Sequence, residues 1–132
     1  MKKFIFLMLI ALTCLCLSGI SHAQDEELAP GFDACMDKAE TTSELVACAD
    51  SGFEHWSAIL KENYEQAKEC PYDNEEQCAE YQSNLAKSMA AWEAYRDAMV
   101  NHLGSNGGTI NRVNVSMFLL ETTRSQALLL QQ

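Results

Sequence analysis

The apolar positions along this chain change period twice, and the changes divide it. From Phe4 to Leu17 every residue except Thr13 is apolar, with Lys2 and Lys3 before the run and Ser21-His22-Ala23 after it. A basic start, a short apolar stretch and a small-x-Ala exit are the marks of a cleavable secretory signal. The run falls short of the roughly 20 residues a transmembrane helix needs. Cys14 and Cys16 raise a lipoprotein reading, but Thr13 and Leu15 before them do not make a good lipobox. Residues 1–23 therefore read as a signal peptide and 24–31 as a flexible polar segment ending in Pro30-Gly31.

From residue 32 the spacing turns helical. Phe32 to Ala39 suits a short helix. Thr41-x-x-Glu44 is a capping box that opens the next helix. Leu45, Ala49, Phe53, Trp56, Leu60, Tyr64 and Ala67 follow in steps of three and four, one stripe on one helix. The stripe continues through Gly52, which predicts a single helix to about Glu69; a second start at Ser51-x-x-Glu54 is the alternative. Cys70-Pro71 ends it, because proline has no amide to donate. Asp73-x-x-Glu76 is expected to cap the following helix, with the stripe Tyr81, Leu85, Met89, Trp92, Tyr95 or Arg96, Met99 and Leu103. Gly104 to Thr109 reads as a loop. A last stripe uses Val113, Met117, Leu120, Arg124 and Ala127. Sustained strand alternation and internal repeats are absent from the pattern.

These elements predict an all-α fold. It is a small antiparallel bundle of three main helices plus a short N-terminal one, occupying residues 32–132. The short turn near residues 70–74 is expected to force the first two long helices into antiparallel contact, with the third packed alongside. Trp56, Trp92, Tyr64 and Tyr95 are expected to supply most of the apolar area.

Charge narrows the function. The 132 residues hold 9 basic and 19 acidic side chains, a net charge of -10. That argues against a nucleic-acid partner, which requires cationic surface to displace phosphate counterions. Residues 24–80 carry 16 acids and 3 lysines, whereas residues 81–132 carry 3 acids and 4 bases. Acidity in the first half is either a solvating face or a means of steering a cationic partner.

Cysteine chemistry points the same way as the leader. Removing residues 1–23 leaves Cys35, Cys48, Cys70 and Cys78. An even count in an exported chain reads as disulfides. Three pairings are possible. Cys35–Cys48 and Cys70–Cys78 are preferred because each joins neighbours across one turn. Zinc is disfavoured: there is no CxxC pair, and His55 and His102 have no second ligand one turn away. No catalytic elbow, phosphate-cradling glycine loop or free nucleophilic cysteine is visible, so neither an enzyme nor a cofactor is expected. Arg96 and Arg124 fall on apolar stripes and are expected either to tie helices together through partnered, half-buried guanidinium groups or to meet a binding partner.

The order and spacing of several of these residues resemble a known family. Cys35, Thr41-Thr42, Glu44, Cys48, Leu60 and Tyr64 are followed by Trp92-Glu93-Ala94-Tyr95-Arg96-Asp97-Ala98, Gly107-Gly108-Thr109 and Thr122-Thr123-Arg124. This pattern, over about Asp33 to Leu130, is similar to the LprI-like family of small exported bacterial helical domains named after a lysozyme inhibitor. Trp92, Tyr95, Arg96 and Asp97 are its most specific part, with Arg124 in the last helix. The chain departs from the family at Met99, where many members carry a cysteine, and at Lys61, where asparagine is usual. The resemblance implies a periplasmic or secreted protein that binds a protein partner, a cationic lysozyme, and occludes its cleft, with no membrane span once the signal is removed. Two loops are candidates for the contact: the Cys70–Cys78 turn with Asp73, Glu75 and Glu76, and the Gly104–Thr109 loop with Ser105 and Asn106. The alternative is a periplasmic helical interaction module, an immunity or assembly factor, without lysozyme inhibition; a small hydrolase is a third.

Overall fold

A computed structural model describes residues 27–131. The signal-peptide reading concerns residues outside that range. Among the described residues four helices follow one another: α1 (Phe32–Met36), α2 (Thr42–Ala67), α3 (Glu75–Gly104) and α4 (Thr109–Leu129). No strand occurs among the described residues.

Local chemistry explains where α2 starts. Thr41 is extended, and its hydroxyl accepts the Glu44 amide at 3.2 Å. The Glu44 carboxylate returns to accept the amides of Thr41 at 2.8 Å and Glu40 at 2.9 Å. These bonds satisfy amides that a helix start leaves without partners. They hold the Glu44 carboxyl below the ordinary glutamate range, the Glu40 amide first and then the Thr41 hydroxyl and amide. The single-helix reading of residues 42–67 holds, with Gly52 in its interior. The short first helix ends at Met36 rather than Ala39, and hydrogen-bonded turns cover Asp37 and Lys38.

Both disulfides are those the spacing favoured. Cys35–Cys48 clips α1 to α2 with its Cα atoms 5.7 Å apart, and Cys70–Cys78 bridges the α2–α3 turn at 5.5 Å.

The helix pairing differs from the expectation. The closest backbone packing is α2 on α4, not α2 on α3. Leu120 packs beside Ala49, and Asn63 bonds to Ala127, so α2 and α4 run in the same sense with α3 antiparallel to both. Side-chain size is the reason. On α2 the contact uses Ala49 and Gly52, and on α4 it uses Ala127, so the two backbones can come close. A Cβ on Gly52 would lie 2.9 Å from Leu120 Cδ1. Between α2 and α3 stand Trp56, Tyr64, Met89 and Trp92, which hold those backbones apart.

The core has two clusters. One gathers Ala29, Phe32, Ala49 and Leu120; the other gathers Leu60, Met89 and Ala127. The α4 stripe is correspondingly shifted. Ser116, Leu120, Thr123 and Ala127 are buried, while Val113, Met117 and Arg124 are only half-buried. Tyr95 was expected inside and is 54% exposed; Arg96 takes the inward position.

Helix ends are closed by side chains from neighbouring helices. Asn63 Nδ2 donates to the Ala127 carbonyl in the last turn of α4 at 2.8 Å. Tyr81 Oη donates to the Ala67 carbonyl at 2.9 Å, and Gln82 Nε2 to the Lys68 carbonyl at 2.9 Å, which closes the end of α2 from α3. Residues 27–31, read as part of a flexible segment, lie against α2. Ala29 is buried, and Trp56 Nε1 donates to the Leu28 carbonyl at 2.6 Å.

Candidate functional site

The α2–α3 turn combines constraint with exposure. Pro71 cannot extend α2, and the Cys70–Cys78 bond closes the turn behind it. The cap of α3 is Asn74, one residue beyond the expected Asp73: its side chain accepts the Gln77 amide at 3.0 Å. Asp73 is displaced from the cap and left at the surface. Glu75 and Glu76 occupy the first turn of α3, where the positive end of the helix dipole favours negative charge. Every residue from 71 to 77 is exposed.

Tyr72 sits at the tip. It is half exposed and meets Tyr81 edge-on, with ring centres 6.0 Å apart. Tyr81 is itself anchored through its hydroxyl to Ala67, so the tip is propped from below. Sequence reasoning missed Tyr72, because it follows a proline and lies on no stripe. The proline-aromatic pair inside a cysteine-bounded loop was the available signal.

Acidity converges on this end of the bundle. Residues 62–80 contain seven carboxylates, Glu62, Glu65, Glu69, Asp73, Glu75, Glu76 and Glu80, against one lysine. That lysine, Lys68, is engaged by Glu65 at 2.7 Å, a bond that raises its pKa.

The second candidate loop is different. Ser105 and Asn106 are exposed, and the Ser105 hydroxyl donates to the His102 carbonyl at 2.7 Å. Gly107 and Gly108 carry φ of 63° and 90°, which glycine adopts without strain. No acid occurs from residue 98 to 120, and Arg112 lies in the first turn of α4. The 30 residues of α3 separate the two loops. At 1.5 Å per residue that is about 45 Å. The structure therefore does not bring Asp73, Glu75 and Glu76 together with Ser105 and Asn106, and one enzyme cleft can meet only one of the two groups.

The family-motif residues lie between these ends. Arg96 stacks over Trp92 with its guanidinium carbon 5.0 Å from the ring centre, and it pairs with Asp97 at 2.8 and 3.0 Å. Its ionic partner is on its own helix. Arg124 crosses from α4 to lie 5.6 Å from the Trp56 ring centre on α2. Tyr95 meets Phe118 of α4 edge-on at 6.2 Å. Asn63, also missed in the sequence, is buried three residues after Leu60 on the same stripe.

Among the described residues, no group of three or more His, Cys, Asp or Glu side chains is placed to hold a metal ion. No described helix is long and apolar enough to cross a membrane.

The described residues form a small helical bundle, stapled twice and carrying an exposed, acidic, aromatic-tipped turn at one end. The chain belongs to the LprI family, described as lysozyme inhibitor LprI, whose profile matches residues 35–130 and so spans both disulfides and all three long helices. This is an inhibitor family rather than an enzyme family. No curated protein and no solved structure matches the chain.

Proposed function

We propose that this protein is an exported inhibitor of a cationic lysozyme, acting in the periplasm or outside the cell, and that the Cys70–Cys78 turn is its contact surface. The observation that carries this reading is the meeting of Tyr72 with Asp73, Glu75 and Glu76 on one disulfide-closed turn. The carboxylates attract a cationic rim and speed encounter. Tyr72 is neutral and can enter a cleft that holds two catalytic carboxylates without adding like charge to it. The disulfide and the Tyr81 prop fix the turn before binding, which lowers the entropy lost on association. The Gly104–Thr109 loop offers no comparable charge. Export is supported by residues 1–23, which have the pattern of a cleavable signal, and by two disulfides, which persist in oxidising compartments.

The test is lysis of sensitive cells by a c-type lysozyme, titrated with the oxidised protein lacking residues 1–23. Stoichiometric loss of lysis is expected. Tyr72→Ala is expected to weaken inhibition about 30-fold, the scale of a buried aromatic anchor. Replacing Asp73, Glu75 and Glu76 by their amides is expected to slow association about tenfold. Undiminished lysis at large excess of folded protein would sink this reading in favour of the helical interaction module.

A further inference from the structure

At the end of the bundle away from the α2–α3 turn, a cavity of about 620 Å³ lies between the start of α4, the glycine turn before it and Val46 of α2. That volume is within the roughly 300–1,000 Å³ of ligand pockets. Val46 and Val115 form apolar walls, and Ser116 lies in the lining although it is only 6% exposed. A serine inside a helix commonly bonds a carbonyl one turn back, as Ser125 does with Glu121 at 2.9 Å. The Ser116 hydroxyl has no hydrogen-bond partner among the described residues. Buried polar groups are rarely left so. This one borders a cavity, where a ligand can meet it.

The start of α4 supplies donors to the same cavity. Its cap is Gly108, which has no side chain to accept from the first-turn amides, whereas Thr41 and Asn74 cap α2 and α3. Those amides are left for an outside acceptor. Nothing lies within 4 Å of where a Cβ would stand on Gly107 or Gly108, so a ligand can come close to the backbone. Asn111 fixes the turn by donating from Nδ2 to the Gly107 carbonyl. Arg112 lines the cavity and makes no ion pair among the described residues. A helix N-terminus and a guanidinium both favour phosphate oxygens. The sequence has no familiar phosphate-loop spacing; the folded turn builds the cradle. Asp33, Asp37, Glu40 and Glu44 stand at this end of the bundle, but no carboxylate lines the cavity. That of Glu44 is engaged by the amides of Glu40 and Thr41 at the α2 cap.

We propose that this cavity binds a small phosphate monoester with an apolar body and a polar group at its far end. The first-turn amides of α4 and the Arg112 guanidinium receive the phosphate, and Val46 and Val115 flank the body. Ser116 follows Thr109 by two turns of α4, about 10 Å, and its hydroxyl meets the far polar group. The cavity is at the opposite end of the bundle from Tyr72, so it stands or falls separately from the inhibitor reading.

The experiment titrates the isotope-labelled, oxidised, signal-free protein with 4-nitrophenyl phosphate, following backbone amide shifts and the heat of binding. Phenyl phosphate lacks the far polar group, and 4-nitrobenzyl alcohol lacks the phosphate. Saturable shifts of the amides from Gly108 to Arg112 are expected in the millimolar range with both phosphates, severalfold tighter for the nitro compound, and none with the alcohol. Arg112 is exposed, so Arg112→Gln leaves the core untouched; it is expected to weaken both phosphates about tenfold, the scale of a hydrogen bond to a charged group. Ser116→Ala removes one hydroxyl and is expected to abolish the preference for the nitro compound while leaving phenyl phosphate binding unchanged. Vesicles of phosphatidylglycerol present a phosphodiester on a surface, and the acidic protein is expected to stay in solution beside them. Absence of any saturable shift in folded protein would overturn the proposal. So would equal binding of the alcohol, an Arg112→Gln protein that binds like the parent, a nitro preference that survives Ser116→Ala, or sedimentation with the vesicles that 4-nitrophenyl phosphate does not reverse.

Discussion

Gly52 decides how close α2 and α4 come, since an added Cβ would press on Leu120 at 2.9 and 3.1 Å and on Ala29 at 3.2 Å. Leu120 is fully buried and has nowhere to retreat. Alanine is the better helix former by about 1 kcal/mol. Overpacking a filled core costs about 1–3 kcal/mol. The second effect wins, so Gly52→Ala is expected to lower stability by about 1 kcal/mol in urea unfolding. Gly104, at the end of α3, has open space around its Cβ position. Gly104→Ala is expected to be neutral or stabilising by a few tenths of a kcal/mol. The opposite ranking of the two variants would contradict the packing argument. Asn63→Ala removes a donor and strands the buried Ala127 carbonyl. The expected loss is about 1–3 kcal/mol, read from the same unfolding curves.

At the scale of elements, the capping box makes α2 sensitive to acid. The folded pKa of Glu44 is lowered, so its contribution is present above the ordinary glutamate value and is lost as pH falls through the depressed folded value. Melting temperatures of the parent and Glu44→Gln are expected to differ at neutral pH and to converge below about pH 4. A constant difference across that range would show that the carboxylate charge is not what the cap uses. The Cys70–Cys78 staple acts on the other end of α2. Replacing both cysteines by serine is expected to cost about 2–3 kcal/mol. That is several degrees of melting temperature for a domain of this size.

What the sequence made legible divides along the same line. The Thr41–Glu44 box, the passage of α2 through Gly52 and both cysteine pairs are local patterns, and local patterns determine local geometry. The α3 cap fell one residue late because Asp73 and Asn74 are equally able to cap and only the folded turn chooses between them. The pairing of α2 with α4 was not legible, because an apolar stripe shows which face is buried but not against what. The shift of the α4 stripe toward Ser116 and Thr123 has the same origin: small polar residues become interior only once a close neighbour is known. Of the proposed contact surface, Asp73, Glu75 and Glu76 were legible as charge, whereas Tyr72 became visible only when Tyr81 was placed beneath it.

For the whole molecule, the excess of acid over base reaches both ends of the bundle. The end at the α2–α3 turn carries seven carboxylates within residues 62–80, and the opposite end, where Val46 of α2 lies beside Gly104 and Arg112, carries Asp33, Asp37, Glu40 and Glu44. The exposed Tyr72 rather than charge alone therefore singles out the α2–α3 turn, and the cationic partner proposed above meets acidic surface at both poles. Its association rate is expected to fall by about an order of magnitude as salt rises from low to physiological levels, measured by stopped flow. A rate indifferent to salt would remove steering from the account.

The two crosslinks join consecutive cysteines, and both are complete by residue 78. Once residues 1–23, with Cys14 and Cys16, are removed as proposed, each can close in order with no earlier thiol left to compete. Neither reaches α4, whose Leu120 must find Ala49 across some seventy residues of chain. Oxidation and seating of the last helix are therefore separate events. A chain cut off before residue 109 would lose its thiols normally and still leave the seat of Leu120 empty, so in this protein the disappearance of free thiols does not report that the native state has formed.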